Sequence, residues 1–153
     1  MPNQRLHALI AELIPLFSRD LDRLKAEVNA FESSEDLWVK RDGITNSAGN
    51  LTLHLCGNLR HFIGHVIGGS DYVRNRDLEF SATGLSKDTL INEIEQTQQE
   101  VVASLEKLDV AVLNQPYPIE VFGRPMNHGF FLIHLSGHLN YHLGQINYFR
   151  RLN

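Results

Sequence analysis

Apolar residues return at steps of three and four through four separate stretches of this chain, a periodicity that restricts it to a helical fold. Leu6, Ile10, Leu13, Phe17, Leu21, Leu24, Val28 and Phe31 mark the first stretch, over residues 4–31. Leu51, Leu55, Leu59, Phe62 and Val66 mark the second, which starts at an Asn46 or Ser47 cap and runs to about Ile67, where Gly68-Gly69 ends it. Leu90, Ile94, Val101, Leu105 and Leu108 mark the third, with Ser86 as its N-cap. The fourth runs from near Asn127 to Arg151. Four amphipathic helices of this length in 153 residues predict an all-α four-helix bundle, with residues 1–153 as one domain. Pro15 lacks a backbone donor and should kink the first helix or split off a leading turn. Residues 69–85 read as a long charged connection, and YPIEVFGRP predicts a small β-hairpin about Gly123-Arg124 before the last helix.

Within the fourth stretch, HLSGHLNYHLGQ repeats a histidine every four residues, at His134, His138 and His142. Each step of four advances a helix by about 400° and about 6 Å, so the three rings form one stripe. Phe131, Leu135, Ile146 and Phe149 fall near the stripe's centre, which predicts a buried histidine face, with Asn140, Asn147 and Arg150 elsewhere. The second helix carries a stripe of its own at His54, Asn58, His61 and His65, at the edge of its apolar line.

Burying an imidazole without a partner costs about 1–3 kcal/mol, so stacked histidines call for hydrogen bonds, charges or a metal ion. Two histidines four apart can reach one ion about 2.0–2.1 Å from each ring nitrogen. Three in succession span about 12 Å of rise, so one end of the triplet must be a spectator. A third ligand from the second helix would complete a three-ligand site with one open position. The same spacing also suits core or interface histidines bonded to carbonyls.

Composition narrows the partners. The chain is 42% hydrophobic and 21% charged, ordinary for a globular protein. A net charge of −4 with no Lys/Arg-rich run argues against nucleic acid and anionic membranes. No stretch is apolar for the 18 or more residues that a span needs, and MPNQRLHALIAEL lacks the form of a secretory leader, so a cytoplasmic location is expected. Cys56 is the only cysteine, which excludes an intrachain disulfide.

The stretches NLTLHLCGNLRHFIGHVIGG (50–69), RNRDLEF (74–80) and GHLNYHLGQI (137–146), with their spacing, resemble the DinB-like superfamily of four-helix bundles. The resemblance covers most of the chain. Its most specific part is a histidine on the second helix combined with His-x-x-x-His-x-Gly-Gln on the last. In that family one histidine of the second helix and two of the fourth bind a divalent metal, which implies His54, His138 and His142 as ligands and His134 as the spectator. Members include metal-dependent thiol transferases that use low-molecular-weight thiols such as bacillithiol or mycothiol. No reaction is assigned to the branch carrying Gly-Asn-Leu-Arg and Arg-Asp-x-Glu-Phe.

The expected function is therefore a divalent-metal-dependent enzyme, transferring a group to a low-molecular-weight thiol or hydrolysing a substrate. The alternative is a non-enzymatic metal-binding or structural bundle. Zinc or nickel is the favoured ion, with iron or manganese after them, and the expected partners are a small-molecule substrate and a second copy in a homodimer. Among the remaining residues, Cys56 lies roughly 160° from His54 on the helix and reads as packing. Asn58 and Gln145, each one turn from a histidine, read first as a cap or interhelix bond, with orienting a ring or bound water as the alternative. Arg74, Arg76, Asp77 and Glu79 read as a solvated salt-bridge cluster, with the lining of a cleft mouth that grips an anionic substrate as the alternative. Gly144 reads as a place for close helix approach, and His7 and His128 as incidental.

Overall fold

The computed structural model describes residues 2–152, with side chains described from residue 8 onward, so the expectations on Leu6 and His7 lie outside the described residues. Helix α1 spans Pro2–Ala30, α2 spans Ala48–Leu59, α3 spans Arg76–Ser81, α4 spans Lys87–Glu106 and α5 spans His128–Arg151. Pro15 stands inside an unbroken α1. The four long helices form a bundle in which α1 packs against α4 and α5, and α2 packs against the same two. Among the described residues there is no strand. No described helix is long and apolar enough to cross a membrane.

The helix starts follow from side-chain caps. Ser47, Ser86 and Asn127 accept the backbone N–H of Asn50, Thr89 and Phe130, each filling one of the donors that a first helical turn leaves unpaired. The apolar lines meet in one core, where Phe17, Leu21, Leu55, Leu59, Ile94, Leu105, Phe131 and Leu139 are almost wholly buried. Asn140 donates to Asp20, while Asn147 and Arg150 reach Glu27, so the polar residues set apart on α5 tie it to α1.

Two segments differ from the sequence expectation. The connection over 69–85 contains α3, capped by Asn75, whose side chain accepts the N–H of Leu78. The hairpin before α5 is reduced to one antiparallel bridge between Pro116 and Asn127, with the chain turning at Gly123, φ 72°. Pro118 and Pro125 flank that turn and lack ladder donors, so pairing does not extend.

Helix α2 is buried on nearly every side; only Leu53 of Ala48–Leu59 is half-exposed. Glycines permit this enclosure, because the Trp38 ring lies where a Cβ on Gly49 would stand. Beyond Leu59 the helix loosens into a π turn, Arg60–His65, with Val66 N–H bonded to the His61 carbonyl and Gly68 N–H to that of Ile63. A π turn takes more residues per revolution than an α turn, so His61 and His65 fall behind the line set by His54.

Candidate metal centre

The histidine stripe of α5 runs along the edge of the buried face, not through its middle. Leu132, Leu135, Leu139, Leu143 and Ile146 form the buried line, while His134 is exposed and His138 and His142 are half-buried. That edge faces His54 of α2, which is 8% exposed. His54, His138 and His142 each offer a ring nitrogen, all within 4.8 Å of one another, and they make up the one such cluster among the described residues. The Nε2 atoms of His54 and His138 are 3.2 Å apart. An ion about 2.0–2.1 Å from each nitrogen in tetrahedral geometry needs ligand atoms about 3.4 Å apart, so this donor set could hold a metal ion.

Partners behind the rings set the direction of the lone pairs. Glu79 Oε1 lies 3.1 Å from His54 Nδ1. The Arg74 guanidinium forks onto the same carboxylate, with Nε 2.8 Å from Oε2 and the terminal nitrogen 2.9 Å from Oε1. Burial alone would raise the pKa of Glu79, but the hydrogen bonds from His54 and Arg74 and the guanidinium charge hold it below the usual carboxylate value. An ionised Glu79 can only accept, so His54 Nδ1 carries the proton and Nε2 presents its lone pair. On α5, His142 Nδ1 donates to Gln145 Oε1 at 2.7 Å and likewise leaves Nε2 as the acceptor.

His138 sits between these two, its ring centroid 5.1 Å from that of His54 and 4.6 Å from that of His142. Burial first, then the charges of His142, His54, His134 and Arg74, push its pKa down to about 4, so the ring is neutral near pH 7, the form that ligates. Its Nδ1 is buried with no hydrogen-bond partner among the described residues. His142 is also shifted down, chiefly by burial, against the raising effect of Gln145.

The Arg74, Arg76, Asp77 and Glu79 group is not the solvated cluster that its charges suggest. Glu79 is 5% exposed and the Arg74 side chain 12%, while Arg76 and Asp77 remain exposed. Asn50 makes the difference: its amide donates to the carbonyls of Glu79 and Ala82, clasping the end of α3 to the start of α2. Gly57 supplies the space, since a Cβ there would overlap the Glu79 carboxylate. The Asn-Arg-Asp-Leu-Glu run at 75–79, a cap followed by acids in the first turn, was the available signal for this helix.

The other candidates sort by position. His134 lies against Phe122 and Phe131, and His65 Nδ1 donates to the Ser70 carbonyl at 2.5 Å; neither joins the cluster. His61 stacks on His65. His128 Nδ1 bonds the Gln115 carbonyl at the foot of α5. Gln145 bonds the His142 ring, the less favoured of its two readings, and Asn58 is buried with its Oδ1 unpartnered among the described residues. Cys56 is buried, and burial pushes its thiol up to about 12, in keeping with a packing role. Gly144 does not mediate helix approach: nothing lies within 4 Å of a Cβ placed there.

Comparison with known proteins agrees with this architecture. No curated protein matches the chain. Among solved structures, a DinB-like protein from Bacillus cereus ATCC 10987 superposes with a TM-score of 0.67 at 18% identity, covering 87% of this chain and 85% of its own. The similarity at that identity is one of fold. A family model for the DinB superfamily matches residues 5–146, nearly the whole chain. The chain belongs to the DinB superfamily.

Proposed function

We propose that the protein is a metal-dependent enzyme in which His54, His138 and His142 hold one divalent ion through Nε2 and leave a position open to a small-molecule substrate. The observation that carries this reading is the pair of fixed tautomers: Glu79 and Gln145 each take an Nδ1 proton, which turns the lone pairs of His54 and His142 toward His138. A bound divalent ion supplies Lewis acidity, lowering the pKa of a thiol or of water so that a nucleophile exists at neutral pH. The chain's own groups prepare that site. Arg74 keeps Glu79 ionised, Glu79 holds the His54 ring, and burial keeps His138 unprotonated. The negative carboxylate behind the His54 ring would also offset part of the ion's charge.

Membership of the DinB superfamily supports group transfer to a low-molecular-weight thiol, with hydrolysis as the related reaction of the same activated position. Three neutral imidazoles suit zinc or nickel, and iron or manganese after them. The test is metal content measured beside far-UV circular dichroism for six variants. His54→Ala, His138→Ala and His142→Ala should each lose most bound metal while staying folded, and His61→Ala, His65→Ala and His134→Ala should retain it. Near-full occupancy in His54→Ala, or loss in His61→Ala, would put the ion on another turn. A cobalt-substituted sample should change its visible spectrum when a small thiol is added; a spectrum indifferent to thiol and water-competing anions would make the ion structural and the protein non-enzymatic.

A further inference from the structure

A cavity of about 810 Å³ opens beside His142, between α5 and the segment that leads into α2. Its volume falls within the roughly 300–1,000 Å³ of small-molecule sites. Ile44 and Leu51 line one side, and Ile146 and Phe149 the other. Tyr141 and Tyr148 stand seven residues apart on α5, two helical turns, so their rings project from one face; each residue is 64% exposed. Gly144 lies between them, and the empty space where its Cβ would be forms part of the cavity.

The lining contains no Asp, Glu, Lys or Arg. Its polar members are Thr45, Asn46, Gln145 and His142, with the two tyrosine hydroxyls. The Arg41 guanidinium donates to the Leu152 carbonyl at 2.7 Å and stands 5.9 Å from the Phe149 ring, so it braces the wall. An ionic group entering here would shed water and meet no charged side chain in the lining, whereas an apolar ring would meet aromatic and aliphatic surface. At the His142 end the lining carries a bonded polar pair, His142 with Gln145.

We propose that this cavity binds the uncharged, apolar or aromatic portion of the substrate, seated over Gly144 between Tyr141 and Tyr148, with its reacting end at His142. The binding event is independent of the metal, but its place in a reaction rests on the function proposed above. The structure supplies a clean perturbation in Gly144→Leu: the added side chain enters open space and improves helix propensity, so the fold should survive.

The probes are N-phenylnaphthylamine, an uncharged fluorophore, and its sulfonated analogue of the same ring system. Fluorescence titration of the metal-loaded protein should show the neutral probe binding at least about tenfold more tightly than the sulfonate. Gly144→Leu should weaken the neutral probe by at least about tenfold while metal content and circular dichroism stay unchanged. Equal or tighter binding of the sulfonate overturns the proposal, as does undiminished binding of the neutral probe by Gly144→Leu. Absence of probe binding, with Gly144→Leu shifting the oligomeric state on size-exclusion chromatography, also overturns it and makes the groove an interface between copies. Probe binding in a protein that takes up no metal would leave the cavity assignment standing and remove the metal-dependent function instead.

Discussion

Gly57→Ala is the perturbation on which two parts of the structural argument pull in opposite directions. On helix propensity alone the change stabilises, because Ala is favoured over Gly in a helix interior by about 1 kcal/mol. At this position, however, a Cβ would stand 2.6 Å from the Glu79 Cδ and closer still to Oε2. The carboxylate is the far end of a side chain, yet it cannot swing aside freely, since it is buried and accepts from His54 and twice from Arg74. Breaking a buried ion pair costs about 3–5 kcal/mol, and the lower end applies here because Arg74 can turn toward solvent. The net expectation is destabilisation by about 2 kcal/mol. For a chain of this size that is a fall in Tm of about 4–8 °C, read by circular dichroism on metal-free protein. His54 would also lose the group that fixes its tautomer, which should weaken metal binding about 10–100-fold in a chelator competition assay. A Tm that rises by the amount helix propensity predicts, with metal affinity unchanged, would refute the notch as the seat of Glu79.

The remaining expectations use the same site and its surroundings. Gln145→Ala should leave stability nearly unchanged, because the residue is exposed, but weaken metal binding by about tenfold through loss of the His142 Nδ1 acceptor, measured by the same competition. His138 titrates near 4 in the folded protein against about 6.5 unfolded, so the unfolded chain binds more protons between those values; metal-free stability should be fully present above about pH 6.5 and fall as pH drops toward 4, followed by urea denaturation at a series of pH values. His142, lowered in the same direction, adds to that loss, and a stability that rose on acidification over this window would contradict the assignment. Cys56, buried with its thiol pushed up to about 12, should resist a thiol-reactive chromophore in the native state and react stoichiometrically in denaturant.

The helical fold was legible in the chain because it is written locally. Apolar residues at steps of three and four require no knowledge of neighbours, and the caps Ser47, Ser86 and Asn127 act within three residues of themselves. The repeat of His134, His138 and His142 at steps of four was legible for the same reason, while the choice of His138 and His142 over His134 came from family resemblance. The choice of His54 over His61 and His65 came from family resemblance, and the structure adds the π turn at Arg60–His65, which no local pattern announced. Tertiary structure alone decided what stands behind and beside the histidines. Glu79 is 25 residues from His54, and it reaches the ring only because Asn50 clasps α3 and Gly57 lacks a side chain. Charge in sequence suggested a solvated cluster there; the burial that converts Arg74 and Glu79 into a buttress is a property of the assembled helices. Gly144 shows the same dependence in reverse. A glycine inside a helix states only that a side chain is missing, and whether that gap admits a neighbouring helix or an open cavity is set by elements packed from elsewhere in the chain.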